Sequence, residues 1–411
     1  MAQMKWSDKM DEKTMKMMAI AVVAVLVVGG IVAVISTNKD NGSDKDYDIR
    51  MAFANSSGMQ PMIYAYYAGL FDAEGVKVDA TITKSSGPCV TAFISGNVDM
   101  TFTSPEPVFN VINDGNIKGK YIGNSRLPGI SSMHLLYDVN NIDVNRMVKY
   151  ADGTDSPVID FASQLVDSTG KIKGKVALHF ASSYRTAWLG YVELLYKGGT
   201  VYGNQYAPDQ INETQYKLLM NTSNEQIYIG CADYAAAAAA TTTGKSLFGI
   251  GSNSAMAKAA DTANKETNTD NWKILSTPSL VDSGFATILA TDEILKNKFD
   301  VVVKVLRAID KAGALMADPS TAKMVAVVCA ERINGEATEK TIQDELRYYG
   351  QVRWDICWIN DVDKVFDRIA KISNLKGSFS TIYDVELVKK LMQEVHYGAN
   401  WERDGNWNLV S

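Results

Sequence analysis

The sequence predicts an α/β protein built from two mostly parallel sheets, and three observations support this fold class. Short apolar segments alternate with helical segments from residue 49 to residue 109. A second strand–loop–helix series begins near residue 171, and the C-terminal third is mostly helical in pattern. The chain has 411 residues, 46% of them hydrophobic and 21% charged, which is enough for two folded units.

The first series contains three predicted strands, each followed by a small polar loop. Residues 49–54 (IRMAFA), 76–83 and 99–103 have the apolar or alternating pattern of strands. The loops contain serine with glycine or proline, and helices begin at or near them. In an open parallel sheet such loops lie together at the carboxyl ends of the strands, where helix N-termini favour an anion. The pattern favours a ligand site in a strand-end cleft over an α/β domain with empty loops.

The second series repeats this arrangement. A strand within residues 171–180 (KIKGKVALHF) leads to Ser182 and Ser183, either of which can cap the next helix, and Arg185 then falls in the first turn of that helix. A later strand at 227–229 leads to Asp233, Tyr234 and a run of six alanines, which favours a helix packed tightly on the sheet. We expect Asp233 and Tyr234 to occupy the position equivalent to that of Ser104 and Glu106.

Several short motifs resemble those of a known family. The first motif consists of Ala65, a GLF sequence at 69–71 and Gly75–Val76. It is followed by a pattern with Ser86, Gly87, Ala92, Ser95, Gly96, Val98 and Asp99. Two later segments read IKGKVA (172–177) and ASS (181–183). Over about residues 48–400 the chain resembles the nitrate/sulfonate/taurine class of substrate-binding proteins of ABC importers.

That resemblance implies a two-lobed periplasmic-binding-protein-like (type II) fold with a hinge and an interlobe cleft. Lobe 1 would comprise residues 48–140 and 285–411, and lobe 2 residues 150–275. It also implies that the protein binds a small solute and delivers it to an ABC permease and its ATPase.

The N-terminus predicts a membrane anchor. Residues 17–35 (MMAIAVVAVLVVGGIVAVI) carry no charge and are long enough to cross a bilayer core. The lysine excess in residues 1–16 favours a cytoplasmic N-terminus, and the polar residues 36–47 form a flexible linker. A cleaved signal peptide fits less well, because the apolar run is long and no A-x-A site follows. We therefore expect a single-pass anchor with the binding domain on the extracytoplasmic side.

The composition argues against several other functions. The net charge is −6 without a basic stripe, which disfavours nucleic acid as a partner. The sequence has three histidines and no H-E-x-x-H motif, Cys/His cluster, Walker loop or G-x-S-x-G elbow, so we expect no metal, no cofactor and no catalysis. The alternatives are an enzyme on the same fold, similar to relatives that synthesise pyrimidine precursors, and an anchored ligand-sensing ectodomain. The four cysteines form no C-x-x-C pair, and buried unpaired thiols are a simpler expectation than a disulfide.

The expected cleft residues offer mainly hydroxyl and backbone N–H groups, which suit an oxyanion. Arg185 can add a charge-assisted pair to an anion, whereas Glu106 and Asp233 suit an amine. The expected ligand is therefore a small organic anion, such as a sulfonate, taurine or a nitrate-like ion, with a zwitterion fitting best if the carboxylates face the cleft. The candidate binding residues are Ser56, Ser57, Gly58, Ser85, Ser86, Gly87, Ser104, Glu106, Ser182, Ser183, Arg185, Asp233 and Tyr234.

Overall fold

Two five-stranded sheets organise the computed structural model of the chain. The structure describes residues 47–112, 115, 117–126, 133–180, 182–201, 203–281, 286–349, 354–359, 362–399, 401–403 and 410. The predicted cytoplasmic segment and the predicted anchor at 17–35 lie outside these residues, as does nearly all of the linker. Within the described part of the chain, no helix has the length and apolar character needed to span a membrane.

The strands alternate with helices in the first two thirds of the chain. The strands are β1 (Ile49–Ala54), β2 (Val78–Thr83), β3 (Met100–Thr103), β4 (Gly119–Arg126), β5 (Met133–Asp138), β6 (Met147–Lys149), β7 (Asp155–Ile159), β8 (Val176–Leu178), β9 (Gly199–Val201), β10 (Asn204–Tyr206), β11 (Tyr228–Gly230), β12 (Phe248–Gly251), β13 (Trp272–Thr277), β14 (Ala286–Thr291), β15 (Trp358–Ile359) and β16 (Glu402–Arg403).

The helices include a long C-terminal series. They are α1 (Gln60–Tyr67), α2 (Leu70–Ala73), α3 (Ser86–Ile94), α4 (Pro105–Ile112), α5 (Ala162–Leu165), α6 (Ser183–Lys197), α7 (Glu213–Met220), α8 (Tyr234–Thr242), α9 (Asn253–Thr267), α10 (Asp292–Asn297), α11 (Phe299–Ala317), α12 (Ala322–Asn334), α13 (Glu339–Tyr349), α14 (Val362–Ser373) and α15 (Val385–Val395), with short 3₁₀ turns at Ser57–Met59 and Phe379–Ile382.

The sheet of lobe 1 has the strand order β2-β1-β3-β14-β4. β1 is parallel to β2 and β3, and Phe53 near its carboxyl end pairs with Ile82 and Phe102. β14 is antiparallel to both β3 and β4. Phe53 and Phe102 are fully buried in the core. Because β1, β2 and β3 are parallel, their carboxyl ends share one edge of the sheet.

The sheet of lobe 2 has the order β11-β8-β12-β5-β13, which reproduces the pattern of lobe 1. β8 is parallel to β11 and β12, and β5 is antiparallel to β12 and β13. β8, β11 and β12 thus correspond to β1, β2 and β3. β5 belongs to this second sheet, so lobe 1 ends after β4 and not at residue 140 as the sequence suggested. The apolar pattern of β5 suits either sheet, and only its pairing with β12 and β13 assigns it. The chain returns to the sheet of lobe 1 at β14.

Helices of the C-terminal region cover lobe 1 and also reach lobe 2. α11 packs on α1 and α12. Its Gly313 lies against the loop before β15, where a Cβ added at this glycine would be 2.5 Å from the Trp354 carbonyl oxygen. α14 packs against α6 of lobe 2, where the hydroxyls of Thr186 and Ser373 form a buried hydrogen bond of 2.6 Å. Besides the two chain crossings, this contact therefore ties the lobes together.

All four cysteines carry free thiols, as the sequence suggested. Cys89, Cys329 and Cys357 are buried, whereas Cys231 is only half-buried. Burial raises the pKa of the Cys89 thiol to about 11, so this thiol stays protonated and unreactive at neutral pH.

Candidate functional site

The loop after β1 begins the candidate site in lobe 1. Ser56 has an extended backbone (φ −149°, ψ 160°) and precedes the 3₁₀ turn that leads into α1. Ser57 is 1% exposed, and its hydroxyl has no hydrogen-bond partner within the described residues. Gly58, which follows Ser57 and precedes α1, is half-buried. A buried hydroxyl without a partner beside a helix start is suited to receive a ligand atom.

The loops after β2 and β3 meet at the same edge of the sheet. The backbone N–H of Ser104 donates to the Ser86 hydroxyl oxygen at 3.3 Å, and the Thr103 hydroxyl donates to the Ser86 carbonyl at 3.3 Å. Because β1 lies between β2 and β3, these contacts close the strand ends into one polar surface. Ser85 precedes α3 but makes no side-chain cap, and Gly87 lies in the first turn of that helix.

Glu106 lies in the first turn of α4, directly after Ser104 and Pro105, and is 6% exposed. A carboxylate so placed interacts favourably with the positive end of the helix. It is also electrostatically coupled to Arg185 of lobe 2, as described below.

The loop after β8 presents Arg185. Ser182 occupies the expected N-cap position of α6, but its hydroxyl donates instead to the His179 carbonyl at 2.7 Å, and no side-chain cap forms. Ser183, the first residue of α6, is 9% exposed. The guanidinium of Arg185 donates to the Thr222 hydroxyl oxygen from Nη2 (2.9 Å) and from Nε (3.3 Å). Thr222 therefore fixes the direction of the Arg185 side chain.

Arg185 is the residue that joins the two halves of the site. Burial lowers its pKa, whereas Tyr228 and Glu106 act in the opposite direction. An arginine remains charged even so, which means that a half-buried cation lies at this loop. Since Glu106 belongs to lobe 1 and Arg185 to lobe 2, their attraction acts between the two lobes.

Asp233 and Tyr234 follow β11 and begin α8. One carboxylate oxygen of Asp233 accepts the N–H of Ala236 at 2.8 Å, so the side chain caps its helix. The Tyr234 ring packs edge-on against Tyr184 (5.2 Å between centroids) and His179 (5.7 Å). Because β11 corresponds to β2, Asp233 is equivalent to Ser85, and the expected equivalence with Ser104 and Glu106 is wrong.

The equivalents of Ser104 and Glu106 follow β12, and they are not among the residues predicted from the sequence. Ser252, Asn253 and Ser254 are 3%, 4% and 9% exposed and open α9. The signal was available, since a serine-rich loop again follows an apolar strand (FGIG). Two strands near the chain crossings add Thr277 and Thr287, whose buried hydroxyls also have no hydrogen-bond partner in the described part of the chain. Thr287 pairs with Thr103 and so extends the polar edge of lobe 1.

The arrangement offers hydrogen-bond donors, one arginine and an acidic group from two facing lobes, which is the chemistry of binding a small polar molecule. Among the described residues, no group of three or more His, Cys, Asp or Glu side chains could hold a metal ion. The Nδ1 atom of His179 lies 2.9 Å from the Cys231 carbonyl oxygen.

Comparisons with known proteins concern the fold of the chain. Residues 42–242 match the model of the NMT1-like family. No curated protein matches the sequence significantly.

Solved structures with the same fold include binding proteins of transport systems. The periplasmic aliphatic sulphonate binding protein SsuA from Escherichia coli is 15% identical, with 79% of this chain and 85% of that chain covered and a TM-score of 0.53. The periplasmic nitrate-binding protein NrtA from Synechocystis PCC 6803 is 10% identical, with 84% of this chain and 88% of that chain covered and a TM-score of 0.54. The alkanesulfonate-binding protein SsuA from Xanthomonas axonopodis pv. citri bound to MOPS is 12% identical, with 75% of this chain and 86% of that chain covered and a TM-score of 0.50.

At these identities the structural matches establish the fold. Together with the family match, they confirm the resemblance seen in the sequence. The chain is similar to the NMT1-like family over residues 42–242 and has the two-lobed periplasmic-binding-protein-like fold of the sulfonate- and nitrate-binding class.

Proposed function

We propose that the protein is the extracytoplasmic solute-binding component of an ABC importer. It captures a small organic anion between its lobes and delivers it to a permease and the associated ATPase. Residues 17–35 hold it in the membrane as a single-pass anchor. The observation that best supports the proposal is that Glu106 of lobe 1 lies near enough to Arg185 of lobe 2 to oppose the lowering of the Arg185 pKa, since opposite charges from the two lobes suit a polar ligand between them.

The charges favour a zwitterionic ligand. Arg185 can hold a sulfonate or carboxylate in a bidentate pair, and serine hydroxyls with helix N–H groups complete an oxyanion site. Glu106 on the opposite side attracts an amine, whereas Asp233 already uses one oxygen as a helix cap. A bare anion would gain from Arg185 but would be repelled by Glu106. An aminosulfonate such as taurine therefore fits better than nitrate.

The rings beside Arg185 favour an organic ligand over an inorganic one. Tyr184 and Tyr234 are half-buried and pack edge-on at 5.2 Å. Aromatic faces and edges pack well against methylene groups. A ligand with a short carbon skeleton between its charges can use this surface.

Binding between two lobes gives the permease a signal. A ligand that contacts Arg185 and Glu106 together stabilises the closed form by its greater affinity for that form. The permease then distinguishes loaded protein from empty protein by the distance between the lobes.

Titration calorimetry on the full chain, purified in mild detergent, tests the proposal with taurine, MOPS, methanesulfonate and nitrate. We expect taurine or MOPS to bind more tightly than methanesulfonate and nitrate. Arg185→Ala should weaken the binding of the best probe by roughly 2–5 kcal/mol, the usual cost of removing one partner of a buried charge pair.

Arg146→Ala is the matched control. Arg146 also pairs with a carboxylate, Asp160, at 3.1 Å, but it precedes β6, is half exposed and is not among the candidate binding residues. Its loss should leave affinity unchanged. Equal affinity of Arg185→Ala and the parent chain would remove Arg185 from the site, and steady-state turnover of a bound probe would indicate an enzyme instead.

A further inference from the structure

The third strand-end loop of lobe 2 contains a buried side-chain amide that the described residues leave unpaired. Asn253 is the first residue of the 15-residue helix α9, and it is 4% exposed. Its Nδ2 atom is buried and has no hydrogen-bond partner within the part of the chain that the structure describes. Folded proteins pair nearly all buried amide groups, so a donor left unpaired by the described residues is suited to a ligand atom.

The N-terminus of α9 is already satisfied by another residue. The Ser252 hydroxyl accepts the N–H of Ala255 at 3.4 Å and so caps the helix. Asn253 is therefore not needed as a cap, and its amide is available for a different role.

The loop adjoins the cleft residues of lobe 2. Gly251 immediately precedes it, and a Cβ added at Gly251 would lie 3.1 Å from the Cβ of Tyr234. β12 is also the direct neighbour of β8, with Ile250 opposite Leu178. Because neighbouring strands lie about 4.8 Å apart, the loops that carry Asn253 and Arg185 start side by side.

We propose that Asn253 is a ligand-binding residue, whose amide Nδ2 donates a hydrogen bond to an oxygen of the solute bound near Arg185. The chemical class that it recognises is an oxygen acceptor, such as a sulfonate or carboxylate. An amide donor adds direction to the attraction of Arg185, since its hydrogen bond requires an oxygen at a defined place. This inference rests on the proposed function and adds a residue to the same cleft.

The test compares Asn253→Leu with Asn264→Leu on the same helix. The two substitutions are chemically identical, but Asn264 has two structural hydrogen bonds, from its Nδ2 to the Trp272 carbonyl (3.0 Å) and from the Trp272 N–H to its Oδ1 (2.9 Å). We measure thermal unfolding of the full chain without ligand, and binding of taurine and methanesulfonate by calorimetry.

Asn253→Leu should unfold at a temperature equal to or above that of the parent chain and should bind the better probe at least tenfold more weakly. Asn264→Leu should unfold at a clearly lower temperature and retain the parent affinity in the binding measurement. Asn253→Asp, which places a negative charge near the solute oxygen, should weaken binding at least as much as the leucine variant.

Two results would overturn the assignment of Asn253. One is parent-like affinity in Asn253→Leu, and the other is a loss of thermal stability as large as that of Asn264→Leu, which would reveal a structural partner. If neither probe binds the parent chain, the proposed sulfonate class fails. The unfolding comparison then still decides whether the amide of Asn253 is unused by the fold.

Discussion

A buried carboxyl group behind the first binding loop should make stability depend on pH. Glu345 on α13 is 1% exposed, and its two oxygens accept hydrogen bonds from the side-chain amides of Gln60 and Asn334. Burial is the main cause that raises the pKa of Glu345, from its ordinary value of 4.5 to about 8. The folded chain therefore holds a proton on Glu345 at neutral pH.

The sign of the effect follows from this raised pKa. Below pH 4.5 both the folded and the unfolded chain carry the proton, and the full stability is present. Between 4.5 and about 8 only the folded chain carries it, so the free energy of unfolding falls as pH rises, by at most about 1.4 kcal/mol per pH unit. Above that range the stabilising contribution is lost.

Glu345→Gln removes the titration but keeps the shape of the side chain. Denaturant unfolding at several pH values between 5 and 8 measures the free energy of unfolding of both chains. As pH rises, Glu345→Gln should become more stable relative to the parent chain, by up to about 1.4 kcal/mol per pH unit. Glu339→Gln, an exposed site on the same helix, should follow the parent curve. Parallel curves for the parent and Glu345→Gln would refute the raised pKa.

Two further predictions concern contacts in each lobe. Thr222→Val removes the oxygen that anchors Arg185, so the calorimetric affinity for the best sulfonate probe should fall severalfold. Thr222→Ser keeps that oxygen and should retain the parent affinity. Equal affinity of Thr222→Val and the parent chain would show that Arg185 needs no anchor. Gly313→Ala places a Cβ 2.5 Å from the Trp354 carbonyl oxygen and should lower the free energy of unfolding by about 1–3 kcal/mol. Ala314→Ser, on the exposed side of α11, should leave it unchanged. An unchanged denaturant midpoint for Gly313→Ala would contradict the close packing.

Much of the fold was predictable because the local signals agreed with one another. The apolar strand at 49–54 and the polar loop after it predicted the first βα unit, and parallel strands necessarily bring their loops together. The alanine-rich helix was also predictable. It packs on β12 at Gly249, where a Cβ would lie 2.4 Å from the Thr241 hydroxyl oxygen. Small residues on both sides allow this approach.

Parts of the site were not predictable, because they depend on contacts between distant residues. Thr222 anchors Arg185 from 37 positions away, and nothing in the spacing indicates that contact. The strand before Asn253 contains two glycines, which weaken its pattern, so Asp233 was assigned the place that belongs to the loop after β12. The attraction between Glu106 and Arg185 exists only once the lobes face each other.

The position of β14 has a consequence for how the chain is made. β14 lies between β3 and β4 in its sheet, yet the whole of lobe 2 separates it from β4 in the sequence. A ribosome therefore completes the second sheet while the first still lacks the strand that joins β3 to β4. Until β14 emerges, β3 presents an open edge that can pair with other chains, and the nascent protein depends on protection of that edge. Closing the first sheet requires a contact between distant parts of the chain, so it is expected to be the slow step of folding.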